Sequence, residues 1–239
     1  MDEQELANLA ARISDPRSWQ TATGNWPGQV APTIERNGYT RLPLPGYIGK
    51  HYSKSRVVFL GTNPGPGKGA NGRFDRDEPL FKTLLPQLMK RPVVDHFVAL
   101  NDYLATAMPT WDIFRNIDFP ICFGLKIEEL AYSNVLLANT PDGVRPHEVD
   151  DGLFKFSIDC FLAEWLEVAD PRLIVVLGKK AALLLERYWT PAPTTAIISM
   201  GLPARQVMNT HRESFERDFE SAKVAICRVF PTAKKRLGR

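Results

Sequence analysis

Cysteine is scarce. The chain has three, Cys122, Cys160 and Cys227, and no CxxC pair. One chain therefore cannot supply a four-cysteine zinc or iron–sulfur site. So sparse a set fits a reducing compartment, with the thiols expected in the core. Long apolar runs are lacking too, and none approaches the roughly 20 residues that span a bilayer. The opening Met1-Asp2-Glu3-Gln4-Glu5-Leu6 is acidic, unlike a secretory or transit peptide. A cytoplasmic location away from membranes is expected. The charge excess is small, +3 over 239 residues, which permits a nucleic-acid partner without arguing for one. No Gly-x-x-x-x-Gly-Lys-Ser/Thr phosphate loop occurs, because Lys68 is followed by Gly69 and Ala70. Gly-x-Ser-x-Gly is absent, which disfavours a serine hydrolase. His51, His96 and His147 have no metal-ligand spacing, so neither metal nor cofactor is expected. There are no internal repeats and no low-complexity tracts.

What is present is an ordinary globular composition, 44% hydrophobic and 24% charged. The chain is long enough for one large domain over residues 1–239, with an irregular N-terminal arm (1–55) and a basic tail (231–239). Its organising stretch is Val57-Val58-Phe59-Leu60-Gly61-Thr62-Asn63-Pro64-Gly65-Pro66-Gly67. A β-branched and aromatic run empties into glycines and prolines, as a buried strand does when it ends in a loop close to a ligand. Ligands of open α/β sheets sit at the carboxyl ends of strands, so Asn63 is the first candidate for chemistry.

Apolar spacing predicts helices over residues 3–14, 79–89, 93–107, 148–168, 179–188 and 215–230. Strands are expected at 57–60, 131–139, 173–178, 196–198 and 205–211. In the arm, Trp19, Trp26, Tyr39, Tyr47 and Tyr52 read as buried anchors or a groove lining. The tail Lys234-Lys235-Arg236-Leu237-Gly238-Arg239 reads as frayed. Strands alternate with helices, so the expected fold is α/β, a three-layer α/β/α sandwich around a mainly parallel sheet of four or five strands.

Three strand ends, Asn63, Asn134 and His211, together resemble the uracil-DNA glycosylase superfamily. Gly61-Thr62-Asn63-Pro64-Gly65-Pro66 is similar to the Gly-x-Asn-Pro-Gly motif of its single-strand-selective and mismatch-specific branches. Ser133-Asn134-Val135-Leu136, followed by Asn139-Thr140-Pro141-Asp142-Gly143-Val144-Arg145-Pro146, resembles a strand and a Pro-Gly-Asn-Arg-x-Pro-like segment of bacterial members. Pro171-Arg172-Leu173-Ile174-Val175-Val176-Leu177-Gly178 resembles their Pro-Arg-x-Ile-Val-x-Leu-Gly stretch. The order of these segments over residues 57 to 220 carries the resemblance. The second catalytic motif departs from His-Pro-Ser: here it is Asn209-Thr210-His211-Arg212-Glu213-Ser214, with His211 the preferred match and Asn209 an alternative.

The resemblance implies a monofunctional DNA base-excision repair glycosylase that hydrolyses the bond to uracil or a related deaminated base flipped out of DNA. Asn63 would hold the attacking water, and His211 or the backbone N–H groups of the Gly61–Gly65 loop would donate to uracil O2 as charge builds there. Asn134 would read the base edge, since an amide offers both donor and acceptor. Phe74 would stack on the base. Gly61, Thr62, Pro64 and Gly65 would shape the substrate loop, and Arg145, Lys179 and Arg212 would meet phosphates. Met200-Gly201-Leu202 or Phe215 would wedge into the DNA. The expected partner is DNA, at the nucleoid if the source is bacterial, and the expected state a monomer. The alternative is a weak or inactive superfamily member that binds damaged or single-stranded DNA without turnover.

Overall fold

In the computed structural model, which describes residues 2–20, 24, 42–64, 78–108, 114, 120–140, 147–202 and 210–238, the apolar run that organises the sequence is a strand. In chain order, helix α1 (Glu3–Ser14) is capped by Asp2, whose carboxylate accepts from the N–H groups of Gln4 and Glu5 at 2.9 and 3.1 Å. Then come β1 (Tyr47–Ile48), the short helix α2 (Tyr52–Ser55) and β2 (Val57–Gly61). A π turn (Leu80–Leu84) runs into α3 (Leu85–Lys90). Pro86 accounts for the widened turn, because its ring would collide with the Lys82 carbonyl in a regular one. The N–H of Leu85 reaches back to Leu80 instead. Next are α4 (Val94–Ala107), β3 (Leu130–Asn134), α5 (Asp151–Ser157), a second π turn (Ile158–Leu162) and α6 (Ala163–Ala169). The chain closes with β4 (Leu173–Leu177), α7 (Lys179–Tyr188), β5 (Ala196–Met200), α8 (Arg212–Val229) and α9 (Pro231–Arg236).

The class is α/β. Five strands form one mixed sheet in the order β1-β3-β2-β4-β5. Only β1 and β3 pair antiparallel (Tyr47 opposite Tyr132), and the sheet is otherwise parallel. Val57 pairs with Leu173 and Leu173 with Ala196. Every residue of β2, β3 and β4 is buried, so both faces of these strands are covered, as a three-layer sandwich requires. β5 is an edge strand, and of its five residues only Met200 is buried.

Two compact units emerge from the packing. The first comprises Met1–Gly46, Thr62–Tyr103 and Asn134–Val168. In it α1 packs on α3, and Trp19 lies against Phe156 and Phe161, with ring centroids 5.7 and 4.8 Å away. The indole N–H of Trp19 donates to the Ile13 carbonyl at 2.8 Å, so a fully buried ring keeps its polar atom satisfied. The second unit comprises Tyr47–Gly61, Leu104–Ser133 and Ala169–Arg239. Here α7 and α8 pack on β4 and β5. Phe59, Phe123, Phe219 and Phe215 form a run of ring contacts at 5.4, 4.7 and 5.8 Å. Truncating a ring as buried as Phe59 to alanine would cost about 3–5 kcal/mol.

Several expectations are corrected. The strand expected over 131–139 ends at Asn134. Val135 to Ala138 stay buried but leave the ladder, because their backbone finds other partners. The tail is not frayed: α9 is docked by Arg236, which bonds both carboxylate oxygens of buried Glu129 (one at 2.9 Å) and the Gly124 carbonyl at 3.1 Å. None of the cysteines is core: Cys160 is exposed, and Cys122 and Cys227 are half-buried. Trp19, Tyr47 and Tyr52 are buried anchors, whereas Trp26 and Tyr39 lie outside the described residues. Among the described residues no helix is long and apolar enough to cross a membrane.

Candidate functional site

Strand β2 ends at Gly61, and the next carbonyl, that of Thr62, accepts from the N–H of Leu136 at 2.9 Å. The segments leaving β2 and β3 therefore run side by side just past the strand ends. Leu137 extends this stitching, its N–H donating to the Ser157 hydroxyl at 3.1 Å and its carbonyl accepting from Leu44 at 2.9 Å. These bonds explain why an apolar run with strand-like composition stops being a strand. Its buried polar groups are satisfied by loop and side-chain partners, as burial demands.

Within this stitched region Asn63 is half-buried, and its side-chain amide donates to the Thr140 hydroxyl at 3.0 Å. Thr140 is 1% exposed. In this arrangement the amide N–H side is turned to Thr140 and the carbonyl oxygen Oδ1 away from it. Asn134, the last residue of β3, is buried. Asn139, also buried, donates to the Leu42 carbonyl at 2.9 Å. Burying so many amides costs free energy unless each is bonded, so this is a polar region built into an apolar one. Tyr132, one residue before Ser133 on β3, is buried, and burial pushes its phenol above the ordinary range.

Among the predicted site residues, Gly61, Thr62, Asn63, Pro64 and Asn134 follow or end β2 and β3 as the sequence reading expected. Gly65, Phe74, Arg145 and Asn209 lie outside the described residues. His211 belongs to the second unit and corrects one expectation, because it is the N-cap residue of α8 and not a strand end. It is exposed, and its side chain makes no capping bond. Its carbonyl accepts from the Phe215 N–H at 3.0 Å and the Ser214 hydroxyl at 3.1 Å. Lys179 is exposed at the start of α7. Arg212 is exposed at the start of α8, where its Nε donates to Glu216 at 2.7 Å. A phosphate would have to compete with that carboxylate.

Two wedge candidates are also corrected. Met200 is 1% exposed at the end of β5, and Phe215 is buried and stacked on Phe219. Leu202 is half-buried. Thr140 is the residue whose part the sequence reading did not assign, although it lies in the segment 139–146 already singled out. The missing signal was a partner 77 residues away. Among the described residues no three His, Cys, Asp or Glu side chains gather as a metal site. No protein-family model matches this chain, and no curated protein matches it.

Proposed function

We propose that this protein is a monofunctional DNA glycosylase that removes uracil or a related deaminated base. The observation that carries this reading is the Asn63–Thr140 bond in a buried polar region, with Asn134 at the end of the neighbouring strand. An amide held by its N–H side presents Oδ1 to a water. Asn63 can orient that water but cannot take its proton as a carboxylate would. The reaction then leans on the leaving base. The C1′–N1 bond breaks, the electron pair goes to the base, and the water oxygen bonds C1′ and releases a proton. A donor aimed at uracil O2 would lower the barrier by about 3–4 kcal/mol, by analogy with oxyanion holes. His211 and the N–H groups of the loop after Gly61 are the candidates. The Asn134 amide supplies both a donor and an acceptor for O4 and N3–H of the flipped base. On this reading the protein works as a monomer on DNA in the cytoplasm, at the nucleoid in a bacterium. The test is a labelled uracil-containing oligonucleotide, incubated with excess protein and then cleaved with alkali. Strand breaks at uracil are expected. Their absence on uracil, hypoxanthine and xanthine substrates would remove the reading.

A second reading is favoured by one observation, the exposed His211 side chain without a capping bond at the start of α8. A protein lacking a positioned donor would bind a flipped base without turnover. It would show salt-sensitive DNA binding and no product.

A further inference from the structure

The charge of this chain is unevenly distributed. Six of its 30 Lys and Arg lie after Glu220 (Lys223, Arg228, Lys234, Lys235, Arg236 and Arg239), and none of its 27 Asp and Glu do. The part up to Glu220 thus carries 24 basic against 27 acidic residues, a net −3, and the whole positive excess sits at the C-terminal end. Two of the six are held in ion pairs. Lys223 pairs with Glu220 at 2.8 Å, and Arg236 holds buried Glu129. Arg228, Lys234 and Lys235 are exposed and have no ion-pair partner among the described residues. Cations in a last helical turn also complement the helix dipole. That accounts for single positions and not for a segment without one acidic residue.

We propose that the end of α8 and helix α9 form a docking surface for the phosphate backbone of a nucleic acid, read through Arg228, Lys234 and Lys235. The cations are displayed on an anchored element. Ala233 of α9 is buried against Gly124, and Arg236 ties the helix to Glu129. Binding therefore pays little ordering cost. An anionic lipid surface fits less well, because an interfacial helix needs an exposed apolar face. In α9 the apolar Ala233 is buried, and Phe230 before it is 6% exposed. The exposed large apolar residue of this segment is Val224 on α8, by itself no face. Phosphates spaced along a strand suit lysine point charges, which give affinity without sequence preference. This inference does not need the glycosylase reading, since it concerns undamaged backbone and a different part of the chain.

The test is fluorescence anisotropy of the 239-residue chain on a labelled, undamaged duplex across about 50–200 mM salt. Each phosphate contact contributes a slope of about −0.9 in log K against log salt. The Lys234→Gln/Lys235→Gln protein is expected to lose about 1.8 of the slope and to bind some 60-fold more weakly near 0.1 M salt. Arg228→Gln, on a separate helix, is expected to lose about 0.9 and some eightfold. Unchanged urea midpoints confirm that both variants are folded. Slopes and affinities equal to the parent in both variants would overturn the proposal. So would parent protein that binds phosphatidylserine vesicles but no duplex. Loss of uracil excision alone would leave it standing, because no damaged base is present in the assay.

Discussion

The side-chain amide of Asn63 donates to the hydroxyl of Thr140 at 3.0 Å, across 77 residues of chain. If the bond sets the direction in which Asn63 holds a water, it acts on turnover more than on folding. Thr140→Val keeps the shape and removes the acceptor. Asn63 is half-buried and can turn its amide to solvent, so the expected loss of stability is about 1 kcal/mol. The single-turnover excision rate on a uracil oligonucleotide is expected to fall about tenfold, in the range of a misplaced catalytic group. Thr140→Ser is expected to retain it. A Thr140→Val protein with the parent rate would show that Thr140 does not orient Asn63.

The pair Glu129–Arg236 makes stability depend on acid. The hydrogen-bonded Arg236 guanidinium holds the Glu129 carboxyl below the usual carboxylate range, against the opposing effect of burial and with help from the Lys126 N–H. A folded-state value below the unfolded one contributes stability that is present above the ordinary pKa of about 4.5 and lost as pH falls through the lower folded value. Urea unfolding at pH 7, 5 and 3 should show the parent losing more stability between pH 5 and 3 than the Glu129→Gln/Arg236→Gln protein. Arg236→Ala alone strands a buried carboxylate. Its expected cost at pH 7 is about 3 kcal/mol, the low end for such pairs because the Arg236 side chain is 32% exposed. Equal acid sensitivity in parent and double variant would show that the pair does not couple folding to pH.

Gly124 is the other half of the α9 anchorage. Its φ is +68°, and a Cβ placed there would lie 2.6 Å from the backbone carbonyl oxygen of Ala233. Gly124→Ala therefore meets a left-handed backbone penalty and a backbone clash together, and the expected destabilisation is about 2–3 kcal/mol. Hydrogen exchange should localise it, with faster exchange of the α9 amides and little change in β4, whose residues are wholly buried. Uniform loss of protection would place the strain elsewhere.

What was legible in the sequence was what local pattern determines. The spacing of Leu6, Leu9, Ala10 and Ile13 gave α1 to the residue, and Leu173 to Leu177, apolar throughout, has the pattern typical of a central parallel strand, which it forms. The α/β class followed from their alternation. Pattern failed where a distant partner decides. Val135 to Ala138 have strand composition, yet Thr62, Ser157 and Leu44 take their hydrogen bonds. The run Lys234 to Arg236 looks like a solvated tail until Glu129 and Gly124 are seen beneath it. Asn63 stands out as a candidate because glycine, proline and a strand end coincide there, and Asn134 only through the family resemblance, while Thr140 carries no such mark. The cysteines were misjudged because small apolar character does not say which helix face a residue occupies.

His211 separates folding from chemistry most cleanly. It is exposed, its side chain makes no capping bond, and its carbonyl accepts the bonds that begin α8. Those bonds belong to the backbone and survive replacement of the side chain. His211→Ala is therefore expected to change stability by no more than about 0.5 kcal/mol, as exposed substitutions away from special features do. If the imidazole donates to uracil O2 in the transition state, the single-turnover rate falls about 100- to 1,000-fold, the loss seen when one preorganised donor is removed. Duplex binding should stay close to that of the parent, because on this reading the imidazole acts on the leaving base and not on the phosphates. A His211→Ala protein with the parent rate would assign the donor to the backbone N–H groups after Gly61. A parent protein that binds a uracil oligonucleotide tightly, releases no base and is unaffected by the substitution would favour recognition without turnover.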